Sequence, residues 1–140
     1  MRNFRELTVW KEGRILVKDI YNLTKLIPDS ERHGLIPQIQ RSAISIPANI
    51  AEGCGKSSQK DFVRFLQISL GSAYELESHI ILCEDLDFLS SESTQSTIKS
   101  IQKLQKSIAS LIKYNKLNHL ATLCLLAKTF YPFSRLITSS

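Results

Sequence analysis

Cysteine is scarce in this chain: Cys54, Cys83 and Cys124 make an odd number with no C-x-x-C pair, which argues against a disulfide framework and fits a reducing compartment. Long hydrophobic runs are missing too. The longest uncharged stretch, Leu117 to Ala127, falls well short of the ~20 residues that a membrane-spanning helix needs. The opening MRNFRELTVW contains no apolar signal core. The expected location is therefore the cytoplasm, with no membrane contact. Neither an internal repeat nor a low-complexity tract occurs, and 140 residues at 43% hydrophobic are enough to bury one core.

Acidic residues are absent from the last third. Residues 1 to 92 hold 11 Lys and Arg against 13 Asp and Glu, whereas residues 93 to 140 hold Lys99, Lys103, Lys106, Lys113, Lys116, Lys128 and Arg135 and no acid at all. The formal charge of +5 thus arises from a slightly acidic body and a basic C-terminal third.

Catalytic constellations are missing as well. Gly55-Lys56-Ser57 imitates the end of a phosphate-binding loop, but the earlier glycine of that motif would fall at Ile50, and a helical pattern rather than a strand precedes it. Ser57-Ser58-Gln59-Lys60 fits S-x-x-K without its companion motifs. Glu75 and His79 stand four apart, whereas di-iron bundles use Glu-x-x-His pairs at three. His33, His79 and His119 share no zinc-ligand spacing. No metal, cofactor or enzymatic activity is expected.

What the chain does have is helical periodicity, centred on Gln40 to Lys56. Ile36, Ile39, Ala43, Ile46 and Ile50 recur at steps of three and four, which places them on one helix face. Pro47 lies within that face and removes a backbone donor, at a local cost of about 3 kcal/mol unless packing holds a bend there. Gly53 and Gly55 predict a left-handed cap that stops the helix. Upstream, residues 1 to 7 read as a polar arm and Thr8 as the cap of a first helix with the stripe Val9, Gly13, Leu16, Ile20, Leu23 and Ile27, broken at Pro28. Downstream, a capping serine with Asp61 opens a third helix whose seam is Phe62, Leu66, Ser69, Ala73, Leu76, Ile80 and Cys83. A fourth seam runs through Ile98, Ile101, Leu104, Ile108, Leu111 and Ile112.

These patterns predict an all-α, antiparallel up-down four-helix bundle with helices near 8–27, 34–53, 58–88 and 92–116. Residues 117–140 form a C-terminal extension, docked or disordered. Second apolar stripes, Trp10, Val17 and Tyr21 on the first helix and Val63, Leu70, Tyr74 and Ile81 on the third, exceed what one seam uses. Such a surface predicts self-association.

Arg41, Ser45-Ile46-Pro47 and Asn49-Ile50-Ala51-Glu52-Gly53 resemble the motif of the bacterial four-helix-bundle proteins often encoded in intervening sequences of 23S rRNA genes. Phe4-Arg5-Glu6-Leu7, Val9-Trp10, Tyr21, Leu23-Thr24, Asp61-Phe62 and Glu75-Leu76-Glu77 fit the same pattern in order, over about residues 4 to 115. That family is similar to the accessory proteins of diversity-generating retroelements, so the resemblance implies a homopentameric ring. Arg41, Asn49, Glu52, Glu75 and Glu77 are its polar residues, read either as a salt-bridge and cap network or as a shared binding site.

Two function classes follow. The first is an RNA- or DNA-binding scaffold, with Lys99, Lys103, Lys106, Lys113 and Lys116 presented as a solvent-facing row on the fourth helix. The second is a structural adaptor between proteins, docking a reverse transcriptase for example.

Overall fold

A computed structural model of the protein describes residues 2–130, and side chains through residue 127. Four α-helices follow one another: α1 (Thr8–Thr24), α2 (Leu35–Cys54), α3 (Gln59–Asp85) and α4 (Ser91–Phe130), with short 3-10 turns at Phe4–Glu6 and Asp29–Glu31 and no strand among the described residues. Each helix packs on its neighbour in sequence and α1 closes on α4, which is the up-down bundle that short connections dictate. The expected seams meet in the middle. Ile20, Ile39, Ile46, Ile50, Leu66 and Ile108 have no exposed surface.

The N-terminal arm is not free. Asn3 accepts a hydrogen bond from the Arg5 N–H, and Phe4 and Leu7 pack on the core, with Phe4 edge-on to Trp10 at 4.8 Å between ring centres. Leu7, not Thr8, holds the cap position, and no side chain caps the helix. Docking of the preceding turn, rather than a polar cap, sets where α1 begins. Its last carbonyls, at Leu23 and Thr24, accept from the N–H groups of Leu26 and Ile27 just beyond the helix, a tightening that lets the buried Ile27 close the core before Pro28.

Pro47 leaves α2 continuous. Its ring lies against Gly13 of α1, where an added Cβ would come 3.4 Å from the Pro47 Cβ. Ser69 of α3 donates to the Ile46 carbonyl at 2.9 Å. The small residues Ser69, Ser72 and Ala73 are all buried and permit this approach of α3 to α2.

The glycines at the end of α2 depart from expectation. Neither is left-handed: among the described residues no glycine has positive φ, and Gly55 has φ −76 and ψ −10. Gly53 is needed for contact instead, because a Cβ there would stand 2.8 Å from the Phe65 Cβ. The left-handed cap occurs one helix later. Asp87, with φ 58, ends α3 at Asp85 rather than near residue 88, and Phe88 donates back to the Cys83 carbonyl at 2.8 Å while Asp87 donates to Glu84 at 2.9 Å. This is the paired bonding of a Schellman end.

α4 corrects the expected boundary near 116. Its bundle-facing residues end with Ile112 and Asn115, yet the helix continues to Phe130 with every side chain from 116 to 127 exposed. No glycine or proline interrupts Leu117 to Ala127, so the propagating helix has no reason to stop. Residues 131–140 of the extension expected to be docked or disordered lie outside the described residues.

Candidate functional site

One end of the bundle gathers side chains far apart in sequence. Ser58 caps α3 by accepting from the Asp61 N–H at 3.0 Å, and its hydroxyl donates to the Asp61 carboxylate at 2.7 Å. That fixes the first turns of α3, which project Lys60 and Arg64 four residues apart. Arg2 reaches the same turns from the N-terminal arm and donates to Gln59 while lying 4.2 Å over the Phe62 ring. Gln59 in turn donates to the Asn115 side-chain oxygen, and Asn115 donates to the Leu111 carbonyl at 2.8 Å. This chain of bonds joins arm, α3 and α4.

The result is a groove of about 420 Å³ between α3 and α4, with Lys60, Arg64, Lys116 and His119 on its walls. Lys56 and Arg64 both lie over the Phe65 ring, at 4.9 and 5.2 Å. Two acids lie close by: Asp61, engaged by Ser58 and 4.0 Å from Arg64, and Glu52, 3.4 Å from Lys56. Cations outnumber carboxylates here, and the half-burial of Lys56 and Asp61 reduces solvent screening.

The lysine row of α4 is placed differently from its sequence appearance. Lys99, Lys103, Lys106, Lys113 and Lys116 are all exposed. However, Lys103 stands 4.0 Å from Glu12 of α1 and shares a groove with Glu12 and Asp19. Lys106 shares one groove with Glu6 and another with Glu77. Acids absent from α4 itself are thus supplied by its neighbours, and the middle of the row is of mixed sign. Lys116 alone of the five lies in the basic groove at the bundle end.

Of the five polar residues read as a salt-bridge and cap network or as a shared binding site, four have separate partners. Asn49 donates to the Ser45 carbonyl at 2.8 Å and its hydroxyl at 2.9 Å, Glu52 pairs with Lys56, and Glu75 lies 3.4 Å from His79. Glu77 faces α4, accepting from Gln102 at 2.8 Å and from Gln105 at 2.6 Å. Arg41 is exposed.

The second stripes also divide. Val63 is buried and belongs to the core, because α3 turns that side toward α4 beside Asn115. Trp10, Val17 and Leu70 are half-buried against the core, while Tyr21, Tyr74 and Ile81 are exposed at 39%, 58% and 42%. Ile44 and Ile68, not anticipated, are also exposed.

Sequence reasoning missed Arg2, Lys56, Lys60 and Arg64 as a group. Lys56, Lys60 and Arg64 recur every four residues across the α2–α3 connection, a signal masked by the acidic balance of the surrounding region. Cys54 lies beside them. Burial pushes its thiol up from the ordinary range, and the nearby Arg2 charge opposes this. No group of metal-ligating side chains occurs among the described residues, nor is any described helix long and apolar enough to cross a membrane.

Comparison with known proteins now bears on identity. No curated protein matches the chain. Among solved structures it is similar to a crystal structure of a protein with unknown function from the S23 ribosomal protein family of Bacteroides thetaiotaomicron, at 30% identity and a TM-score of 0.70, over 76% of this chain and 99% of that one. Residues 5–110 match the family described as 23S rRNA-intervening sequence protein, and with three quarters of its length inside that match the chain belongs to this family.

Proposed function

We infer that the protein is a non-enzymatic, oligomeric binder of nucleic acid whose basic bundle end meets the phosphate backbone. The observation that supports this most is the convergence of Arg2, Lys56, Lys60, Arg64 and Lys116 from three separated segments onto one end of the molecule. Cations clustered in this way attract a polyanion and release its counterions, a term that is independent of sequence. The middle of the α4 row contributes less, since Glu12, Asp19 and Glu77 sit among its lysines. Lys113, one turn before Lys116, extends the surface along α4, while Lys99 lies toward the other end of the helix.

Self-association belongs to the same reading. Tyr21, Tyr74, Ile81, Ile44 and Ile68 leave apolar surface exposed on the bundle, and a second copy is the occupant that family resemblance favours, in a homopentamer. Repetition around a ring would multiply a weak phosphate-binding end. The cytoplasm is the expected compartment. The test is retention of nucleic acid by the purified protein, read from its absorbance ratio before and after a high-salt wash, followed by titration with structured RNA and duplex DNA. A protein that neither retains nor binds either would leave the adaptor reading, in which the same apolar residues dock another protein such as a reverse transcriptase.

A further inference from the structure

Two recesses open in line between α3 and α4. The groove of about 420 Å³ at the basic end is walled by Lys60, Arg64 and Gln67 of α3 and by Lys116 of α4, and a second recess of about 410 Å³ is lined by Tyr74 of α3 and by Lys106 and Ala109 of α4. Gly71 lies between them. It stands four residues after Gln67 and three before Tyr74, on their face of α3, and a Cβ built there would meet no atom within 4 Å. Glycine in a helix interior costs stability, and here neither a turn nor a packing neighbour requires it. On the other wall the exposed Lys113 stands four residues after Ala109 and three before Lys116.

We propose that this α3–α4 track takes a single strand of nucleic acid, with its phosphates on the cations of the basic end and a base against Tyr74. The proposal rests on the basic end as a phosphate-binding surface and names the kind of strand it prefers. The charge runs out along the track. Among its described walls the groove at the basic end holds one carboxylate, Asp61, which Ser58 engages. At the far recess Glu77 lies beside Lys106 and accepts from Gln102 and Gln105, so charge balances there and a strand is held by stacking instead.

Tyr74 is 58% exposed and lies ten residues beyond Arg64, about 15 Å at 1.5 Å each. That reach is several times the ~3.4 Å rise per nucleotide of one strand, so a strand rather than one nucleotide fills it. A basic groove that leads to an open aromatic ring suits a strand whose base faces are free. Duplex bases are already stacked on one another and offer Tyr74 no face, which leaves a duplex the phosphate contacts alone. Tyr74 is thereby taken from the apolar surface assigned to self-association, which keeps Tyr21, Ile44, Ile68 and Ile81.

The full chain would be titrated with unstructured oligodeoxythymidylate and with duplex DNA of equal length by fluorescence anisotropy at one salt concentration, with light scattering on the same samples. Wild type is expected to bind the single strand more tightly. Tyr74→Ala should weaken single-strand binding about tenfold and leave duplex binding unchanged, whereas Tyr74→Phe, which keeps the ring, should bind as wild type does. Gly71→Gln should raise the melting temperature, because glutamine is the better helix former, yet weaken single-strand binding by blocking the track. Duplex binding without a single-strand preference, or single-strand binding that neither Tyr74→Ala nor Gly71→Gln weakens, overturns the track and leaves the basic end standing. A wild type that binds neither nucleic acid overturns both. A lower oligomeric mass in Tyr74→Ala gives the face to a second copy and overturns the track.

Discussion

The two ends of the bundle differ in charge and in how their helices stop. At the end formed by the N-terminal arm, the α2–α3 connection and the last packed turn of α4, Arg2, Lys56, Lys60, Arg64 and Lys116 collect. At the opposite end, formed by the α1–α2 and α3–α4 connections and their flanking turns, the described residues include Asp29, Glu31, Glu84, Asp85, Asp87 and Glu92 against Lys25 and Arg32. A net charge of +5 thus describes neither end. What a polyanion would encounter is set by which segments the topology brings together.

The cysteines report the same contrast. Burial raises both thiols, but Arg2 opposes the rise at Cys54 and Glu31 adds to it at Cys83. Glycine use is inverted as well. The glycine-terminated α2 ends in right-handed conformation, and the glycine-free end of α3 places Asp87 in the left-handed one.

The largest expected effect comes from testing that inversion at the basic end. Gly53→Ala forces a Cβ to within 2.8 Å of the Phe65 Cβ, and overpacking of this kind costs about 1–3 kcal/mol. Thermal or urea unfolding should show the loss. Wild-type stability would mean that α2 and α3 separate there freely. At the acidic end, Asp87→Val should cost about 1–2 kcal/mol, since a β-branched residue resists positive φ. Gly55→Ala should cost less than about 1 kcal/mol, because its backbone is already right-handed. If it proves as costly as Asp87→Val, the assignment of left-handed strain to the acidic end fails.

A pH series sharpens the contrast further. Folded-state thiols raised above 9.0 remain protonated where those of the unfolded chain ionise. Their contribution to stability is therefore complete below about pH 9 and declines as pH rises through the raised values. With increasing pH, Cys54 should alkylate before Cys83, as followed by mass spectrometry. Reaction of Cys83 ahead of Cys54 would contradict the charge difference between the ends.

The seams were legible because each needs only its own helix. Ile36 to Ile50 and Phe62 to Cys83 show their period directly, and Ser58 with Asp61 marks the start of α3 within four residues. Gly53 was not legible, since a cap glycine and a contact glycine look alike until Phe65 is placed beside one of them. Pro47 reads as a bend that packing must hold, but the residue that packs on it, Gly13, shows only in the fold. The α4 lysines looked unpaired because their acids, Glu12 and Asp19, belong to α1. The basic end was hidden for the same reason: Arg2, Lys60 and Lys116 lie on three segments that meet where Arg2 bonds Gln59 and Gln59 bonds Asn115.

The most direct test of the basic end as the nucleic-acid surface is the salt dependence of binding to duplex DNA. Lys60→Glu/Arg64→Glu would be compared with Lys103→Glu/Lys106→Glu. Each phosphate contact removed should lower the log–log slope by about 0.9, and the account predicts that the Lys60/Arg64 pair lowers it more than the Lys103/Lys106 pair, whose lysines already face Glu12 and Glu77. An equal or larger fall in the Lys103/Lys106 variant, or no change in either, would contradict it.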